Sequence, residues 1–191
     1  MKTVQSLPEN YAEIDKIDLQ KNRTTAILVN LFALGISLAM LIPMLFLVPI
    51  YTLMEGDLPL VLLKLGVAMV AMIAYFVLHE LVHGLFFRIF GGKRVKYGFT
   101  GLYAYAGCEA YFPRIPYLII GLSPVVLWGA VIGVVQYFVP VSWFWVVYLI
   151  QIINVSGAAG DIFVTYKLLR YPPSVLVQDT GVSMTVYAPE K

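Results

Sequence analysis

The chain has 191 residues, of which 60% are hydrophobic and only 13% are charged, and its mean hydropathy is +0.83. One globular core of this length cannot enclose so much apolar surface, so the composition excludes an ordinary water-soluble domain and makes the lipid bilayer a partner. The formal net charge of +2 is small and scattered, so no nucleic-acid partner is expected.

Four segments are long and apolar enough to cross a bilayer, which takes about 20 such residues. The first is uncharged from residue 24 to residue 54, and the second has Lys64 near its start, where the side chain can snorkel toward the headgroups. A later uncharged stretch, 115–160, is divided by a Pro-Val-Ser break at 140–142. The predicted spans are residues 25–54, 58–87, 117–139 and 141–169.

The second span contains a His-Glu-x-x-His motif at residues 79–83, which holds both histidines of the chain. On a helix, His79 and His83 lie one turn apart on the same face, so both imidazoles can bind one cation. Glu80 is placed to deprotonate a water activated by zinc. The alternative is a hydrogen-bonded cluster without metal, but buried ionisable groups destabilise a membrane span unless something compensates. The motif therefore predicts a zinc ion.

After this span, residues 91–116 place apolar side chains at odd positions among several glycines, which predicts a hairpin of short strands at the membrane surface. Such a hairpin can hold a peptide in the extended form that a peptidase needs, so Tyr103 and Tyr105 are candidate substrate contacts. A Tyr-rich hairpin that only anchors the protein explains the pattern equally well. Near the end of the chain, residues 175–187 predict a second hairpin.

A catalytic zinc site needs a third protein ligand and one open position. Asp161 lies nine residues before Arg170 at the end of span four, just as His79 lies nine residues before Arg88 at the end of span two. At ~1.5 Å per residue, both groups lie on the order of 13 Å below the same surface. We therefore expect Asp161 to be the third ligand, with Glu109 in the central loop as its rival.

Two further polar residues have alternative interpretations. Asn154, two turns before Asp161, is a candidate to bind the substrate, and an interhelical hydrogen bond explains it at least as well. Cys108 is interpreted as an inert apolar residue, because a thiolate would complete the zinc shell and suppress catalysis.

Basic residues precede span one, separate spans two and three and follow span four, so both termini should be cytoplasmic. No internal repeat is visible, and one domain, residues 1–191, is the simplest organisation. The predicted fold class is an all-α membrane protein: a bundle of about four transmembrane helices with a small β-hairpin-like loop on the cytoplasmic side.

Several blocks of the sequence resemble the site-2 protease-like clan of intramembrane zinc metalloproteases, and within it a small bacterial family described as putative zincin peptidases. The blocks are residues 79–84, 90–93, 121–124, 154–161 and 179–182. This resemblance implies zinc bound by His79, His83 and Asp161, with Glu80 as the general base, in a bacterial cell membrane. Site-2 proteases carry the third ligand in an Asn-x-Asp-Gly or Leu-Asp-Gly block, whereas here Asp161 follows Gly160.

The predicted function is zinc-dependent hydrolysis of a peptide bond in a membrane-associated protein or peptide. The alternative is a non-catalytic membrane protein with a structural or transported zinc ion. A structural zinc would have a fourth protein ligand, and a bundle without metal would hold no stoichiometric zinc.

Overall fold

The computed structural model describes residues 2–18, 21–101 and 103–190, so the terminal residues of the predicted domain 1–191 lie outside the described part. It has four helical segments long and apolar enough to cross a membrane, which agrees with the predicted spans and is consistent with an integral membrane protein. The helices are α1 (Arg23–Leu47), α2 (Leu58–Ile89), α3 (Arg114–Phe138), α4 (Phe144–Gly157) and α5 (Ala159–Leu169). Helices α4 and α5 belong to one segment, Val141–Leu169.

The first span is shorter than the prediction of residues 25–54. Helix α1 ends at Leu47, because Val48 before Pro49 adopts an extended conformation with φ −126° and ψ 110°. The chain then forms a short 3₁₀ helix, Ile50–Met54, outside the span. Within this short helix Thr52 and Leu53 are buried, whereas Ile50, Tyr51 and Met54 are exposed.

Lys64 does not snorkel to the surface as the sequence suggests, because it is fully buried. Its ammonium nitrogen donates to three main-chain oxygens at the 3₁₀ helix: those of Thr52 at 3.3 Å, Leu53 at 3.4 Å and Glu55 at 2.8 Å. The lysine thus donates to carbonyl groups at the end of the short 3₁₀ helix, of which that of Thr52 also accepts from the Glu55 N–H at 3.4 Å.

The β-structure is more extensive than the predicted fold class, an all-α bundle with a small β-hairpin-like loop, implies. Both predicted hairpins form, and they join an N-terminal strand in one antiparallel sheet of five strands, in the order β1-β5-β4-β3-β2. The strands are β1 (Tyr11–Ile17), β2 (Val95–Phe99), β3 (Ala104–Pro113), β4 (Leu176–Asp179) and β5 (Met184–Pro189). Two of the long helical segments separate the N-terminal strand from the first hairpin, and two more separate the first hairpin from the second. All five strands therefore reach the same end of the bundle, where an isolated hairpin would be only marginally stable.

The sheet packs on the helix ends through an apolar core. Phe87 near the end of α2 contacts Phe112 on β3, with ring centroids 5.2 Å apart. Leu168 of α5 and Val177 of β4 are fully buried in the same cluster. This core fixes the carboxyl ends of α2 and α5 against one sheet and thereby fixes the relative position of the polar groups that these helices carry.

Candidate metal centre

Helix α2 places the two histidines of the motif on one face, as their four-residue spacing predicts. The ring centroids of His79 and His83 lie 4.9 Å apart, with the ring planes at 76°. Both residues are buried. Their Nε2 atoms face the same partner, Asp161 of α5.

Asp161 lies at the start of a helix that the sequence does not separate from its predecessor. The chain leaves helical hydrogen bonding at Ala158, between α4 and α5, so Asp161 stands in the first turn of α5. One carboxylate oxygen is 3.4 Å from Nε2 of His79, and the other is 3.5 Å from Nε2 of His83. The free N–H groups of a first helical turn favour a negative charge at this position.

The three groups fit zinc in both chemistry and spacing. Two imidazole nitrogens and a carboxylate oxygen are usual zinc ligands, and the three ligand atoms lie within 4.8 Å of one another. Ligands about 2.05 Å from a tetrahedral ion stand about 3.4 Å from each other. Direct charge-assisted hydrogen bonds are shorter, about 2.7–2.9 Å. The separations of 3.4 and 3.5 Å therefore suit groups that share an ion better than groups that bond directly.

The outer nitrogen of each imidazole ring also has a hydrogen-bond partner. Nδ1 of His83 lies 3.0 Å from the main-chain oxygen of Ile120 on α3, and Nδ1 of His79 lies 2.8 Å from the hydroxyl oxygen of Tyr75. Partners of this kind fix the ring orientation of metal-binding histidines. Their effect here is to leave both Nε2 atoms facing the space beside Asp161.

The sequence analysis did not identify Tyr75 or the Ile120 carbonyl as partners of the histidines, although the position of each in the sequence indicates such a role. Tyr75 precedes His79 by four residues and therefore lies on the same face of α2. Ile120 precedes Pro124 by four residues, and proline has no N–H to donate to that carbonyl. A helical carbonyl without its usual donor is available to a side chain from a neighbouring helix.

Glu80, the predicted general base, lies beside the cluster in a partly buried position. Its carboxyl group is within electrostatic reach of both histidines and of Asp161, and the main chain of Ala106 on β3 donates a hydrogen bond to it. The sheet thus contacts the residue that would transfer protons.

Glu109, the rival ligand, does not lie in the cluster. Its side chain is about half exposed on β3 and accepts a 2.5 Å hydrogen bond from Lys96. This hydrogen bond and the lysine charge hold the pKa of the Glu109 carboxyl below its usual value. The carboxylate is paired at the surface, so the rival assignment has no support in the geometry.

Cys108 is a buried residue of the sheet core, as its interpretation as an inert residue requires. Burial raises the pKa of its thiol. Its Sγ lies against Gly92, where an added Cβ would be 2.7 Å from the sulfur. The side chain therefore fills space between the sheet and the end of α2.

Asn154, one of the predicted substrate contacts, is fully buried between helices. Its amide nitrogen donates to the main-chain oxygen of Val125 at 3.2 Å, and its amide oxygen accepts from the Tyr75 hydroxyl at 2.9 Å. Both ends of the amide are thus engaged inside the bundle. The interhelical alternative describes these contacts better than substrate binding does.

A cavity of about 150 Å³ opens beside Asp161, between α5 and the turn that connects β4 and β5. Tyr103, one of the candidate substrate contacts, lines this cavity. The wall also contains Tyr117, whose hydroxyl donates to the carboxylate of Asp179. Burial raises the pKa of the Asp179 carboxyl. The sequence did not identify this pair, since its two members are 62 residues apart.

Tyr105 occupies a different position from Tyr103. Its ring packs across Gly98 and Gly181, and an added Cβ at Gly181 would lie 2.2 Å from the ring. Gly181 also has a φ of +83°, which favours glycine at this turn. Tyr105 therefore supports the turn that borders the cavity.

In comparisons with known proteins, no curated protein and no solved structure matched the chain. A family model described as "Putative zincin peptidase" matches residues 72–176. The match covers just over half of the chain and includes the histidine motif, the first hairpin, α3 and Asp161. The chain belongs to the putative zincin peptidase family, a membership that points to zinc metallopeptidase activity.

Proposed function

We propose that the protein is a zinc-dependent peptidase that hydrolyses a peptide bond of a membrane-associated protein or peptide, within or beside the bilayer. The observation that carries the proposal is the approach of the Asp161 carboxylate to Nε2 of His79 at 3.4 Å and of His83 at 3.5 Å. These groups come from two separate segments long and apolar enough to span a membrane. Membership in the zincin family supports the same chemistry.

His79, His83 and Asp161 would hold the ion, with one position open to water or substrate. A zinc ion bound there would act as a Lewis acid and would lower the pKa of water from 15.7 to about 7. Within residues 2–18, 21–101 and 103–190, no fourth His, Cys, Asp or Glu joins the group. Structural zinc sites have four protein ligands, so this donor set favours catalysis over a structural ion.

Glu80 acts as the general base in this proposal. It accepts a proton from the attacking water and delivers it to the amine that leaves when the peptide bond breaks. The hydrogen bond from the Ala106 main chain orients its carboxyl group.

The cavity beside Asp161 is the proposed position of the substrate next to the metal. Its wall is largely apolar and includes Ile17, Val164 and Met184. Tyr103 belongs to the same wall. An apolar segment of a membrane-associated substrate matches this lining, with Tyr103 as a polar contact.

The proposal extends to membership in the site-2 protease-like clan, to a single domain over residues 1–191, and to a bacterial cell membrane with both termini in the cytoplasm. The position of all five strands at one end of the helices supports a common cytoplasmic face. At that end lie the basic residues Arg88, in the last turn of α2, and Lys93 and Arg94, which follow the helix.

A Glu80→Gln variant tests the proposed chemistry. We expect it to retain one zinc ion per chain and to lose peptide cleavage by about 10²–10⁴-fold, the usual contribution of a general base. The measurement compares membrane proteomes of cells that produce wild-type or Glu80→Gln protein, together with the zinc content of the purified chains. Glu109→Gln is the matched control, because it neutralises an exposed carboxylate outside the cluster.

Fragments that depend on Glu80 would identify the substrate, whereas identical fragments in both proteomes would refute the proposed mechanism. Zinc transport is tested separately with proteoliposomes that contain a zinc-sensitive dye. Zinc flux that requires His79 in such vesicles would support the alternative function of a zinc carrier.

A further inference from the structure

A buried chain of hydrogen bonds connects three helices and ends on His79. The Tyr75 hydroxyl oxygen lies 2.8 Å from Nδ1 of His79 on α2 and 2.9 Å from Oδ1 of Asn154 on α4. The amide nitrogen of Asn154 lies 3.2 Å from the main-chain oxygen of Val125 on α3. Tyr75 and Asn154 are both buried, so these groups satisfy one another without bulk water.

The hydrogen-bonding capacity of each group fixes the direction of the chain. The Val125 carbonyl only accepts, so Asn154 presents its NH₂ group there and its oxygen to Tyr75. The Tyr75 hydroxyl has one proton, which it donates to that amide oxygen. The hydroxyl oxygen then accepts the proton carried by Nδ1 of His79. With its proton on Nδ1, the neutral imidazole keeps a lone pair on Nε2, the atom that faces Asp161.

We propose that Tyr75 and Asn154 are positioning residues that hold His79 in the tautomer and ring orientation required for metal binding. This inference rests on the proposed zinc site and adds two residues that act on a ligand without contacting the ion. Loss of such an outer partner typically lowers metal affinity 10–100-fold. Asn154 thus has a role in the site other than the substrate contact that the sequence suggested.

The geometry argues against a purely interhelical bond between Tyr75 and Asn154. Such a bond would need only the contact between their side chains, but the same hydroxyl makes a slightly shorter contact with the imidazole. The rings of Tyr75 and His79 also meet edge to face, with centroids 5.7 Å apart. A Tyr75→Phe substitution keeps this ring contact and removes only the hydroxyl group.

The test measures zinc affinity by chelator competition on the purified full chain in detergent. We expect Tyr75→Phe and Asn154→Ala each to weaken zinc binding about 10–100-fold. The Tyr75→Phe/Asn154→Ala double variant should bind zinc no more weakly than whichever single variant binds it more weakly. Both substitutions interrupt the same chain of hydrogen bonds, so their effects should not add. Tyr148→Phe is the matched control: it removes a hydroxyl that donates to the Met40 carbonyl at 3.0 Å, from a side chain that packs in the separate cluster around Trp145.

The visible absorption spectrum of the Co²⁺-substituted protein provides a second readout, since it responds to ligand geometry. We expect the spectrum to change in Tyr75→Phe and to stay unchanged in Tyr148→Phe. Equal effects of these two variants on affinity would indicate general destabilisation and would overturn the inference.

Measurements on His79→Ala separate this inference from the proposed function. If the wild type binds one zinc ion, His79→Ala does not, and Tyr75→Phe binds as tightly as wild type, the positioning role is wrong and the zinc site stands. If the wild type holds no stoichiometric zinc, both proposals are wrong.

Discussion

Nδ1 of His83 lies 3.0 Å from the main-chain oxygen of Ile120, a carbonyl that has no helical donor because the residue four positions later is Pro124. The Ser123 hydroxyl donates to the same oxygen at 2.8 Å. In the structure, α3 continues through Pro124, and the free carbonyl is used to orient a candidate metal ligand.

A Pro124→Ala substitution should weaken zinc binding by about 10-fold, the lower end of the range for an outer hydrogen-bond partner. The new N–H at position 124 would bond to the Ile120 carbonyl within the helix and compete with His83. Chelator competition on the purified chain measures the change. Pro43→Ala, which alters the proline inside α1, is the control and should leave zinc affinity unchanged. Equal affinity in wild type and Pro124→Ala would show that the released carbonyl is not needed.

An Asp161→Ala substitution should abolish stoichiometric zinc binding. Two imidazoles on one helix would remain, which is fewer than the three protein ligands of catalytic zinc sites. We expect a loss larger than the 10–100-fold effect of an outer partner. Elemental analysis of purified protein measures the zinc content. Retention of one zinc ion per chain in this variant would contradict the assignment of Asp161 as a ligand.

Lys64→Met should destabilise the fold without affecting the metal site. The substitution leaves the carbonyl oxygens of Thr52, Leu53 and Glu55 without their common donor, and the expected loss is about 1–3 kcal/mol. Thermal unfolding in detergent measures the effect, and zinc content serves as the second readout. Lys96→Met is the control, because its exposed ion pair with Glu109 contributes little to stability. Similar melting temperatures for the two variants would refute the structural role of Lys64.

Asp15 on β1 accepts hydrogen bonds from Lys167 of α5 and from Tyr171 just after that helix. These contacts should make the free energy of unfolding depend on pH. Burial raises the pKa of Asp15, but hydrogen bonds from Lys167 and Tyr171, each 2.7 Å long, outweigh it and leave the pKa below 3.8. A lowered folded-state pKa contributes stability above the unfolded value, near pH 4, and this stability is lost as the pH falls through the lower folded value.

Asp15→Asn should therefore be about 1 kcal/mol less stable than wild type at neutral pH, and the gap should narrow below about pH 4. Melting temperatures measured from pH 3 to pH 7 provide the comparison. Glu13→Gln, at an exposed position of the same strand, should follow the wild-type profile. A gap of constant size over this range would show that Asp15 does not contribute through its charge.

The sequence predicted those parts of the fold that depend on the pattern of apolar and polar residues within one segment. Uncharged apolar segments indicated four helices, and alternating residues followed by turn signals indicated two hairpins. The sequence did not predict the sheet that distant segments form together. The N-terminal strand β1 pairs with β5 from the other end of the chain, and the sheet has five strands. Hydropathy also extended span one past Val48, where local backbone geometry ends the helix.

For the candidate site, the sequence by itself determined that His79 and His83 share a face, because helical periodicity is a property of a single segment. The matched depth of Asp161 also follows from counting residues along two spans. Only the tertiary structure decided which groups of other helices surround them: Ile120 of α3 meets His83, and Asn154 of α4 meets Tyr75, the partner of His79 on its own helix. Such contacts depend on how the helices pack and rotate against each other, which the residue order of one helix does not specify.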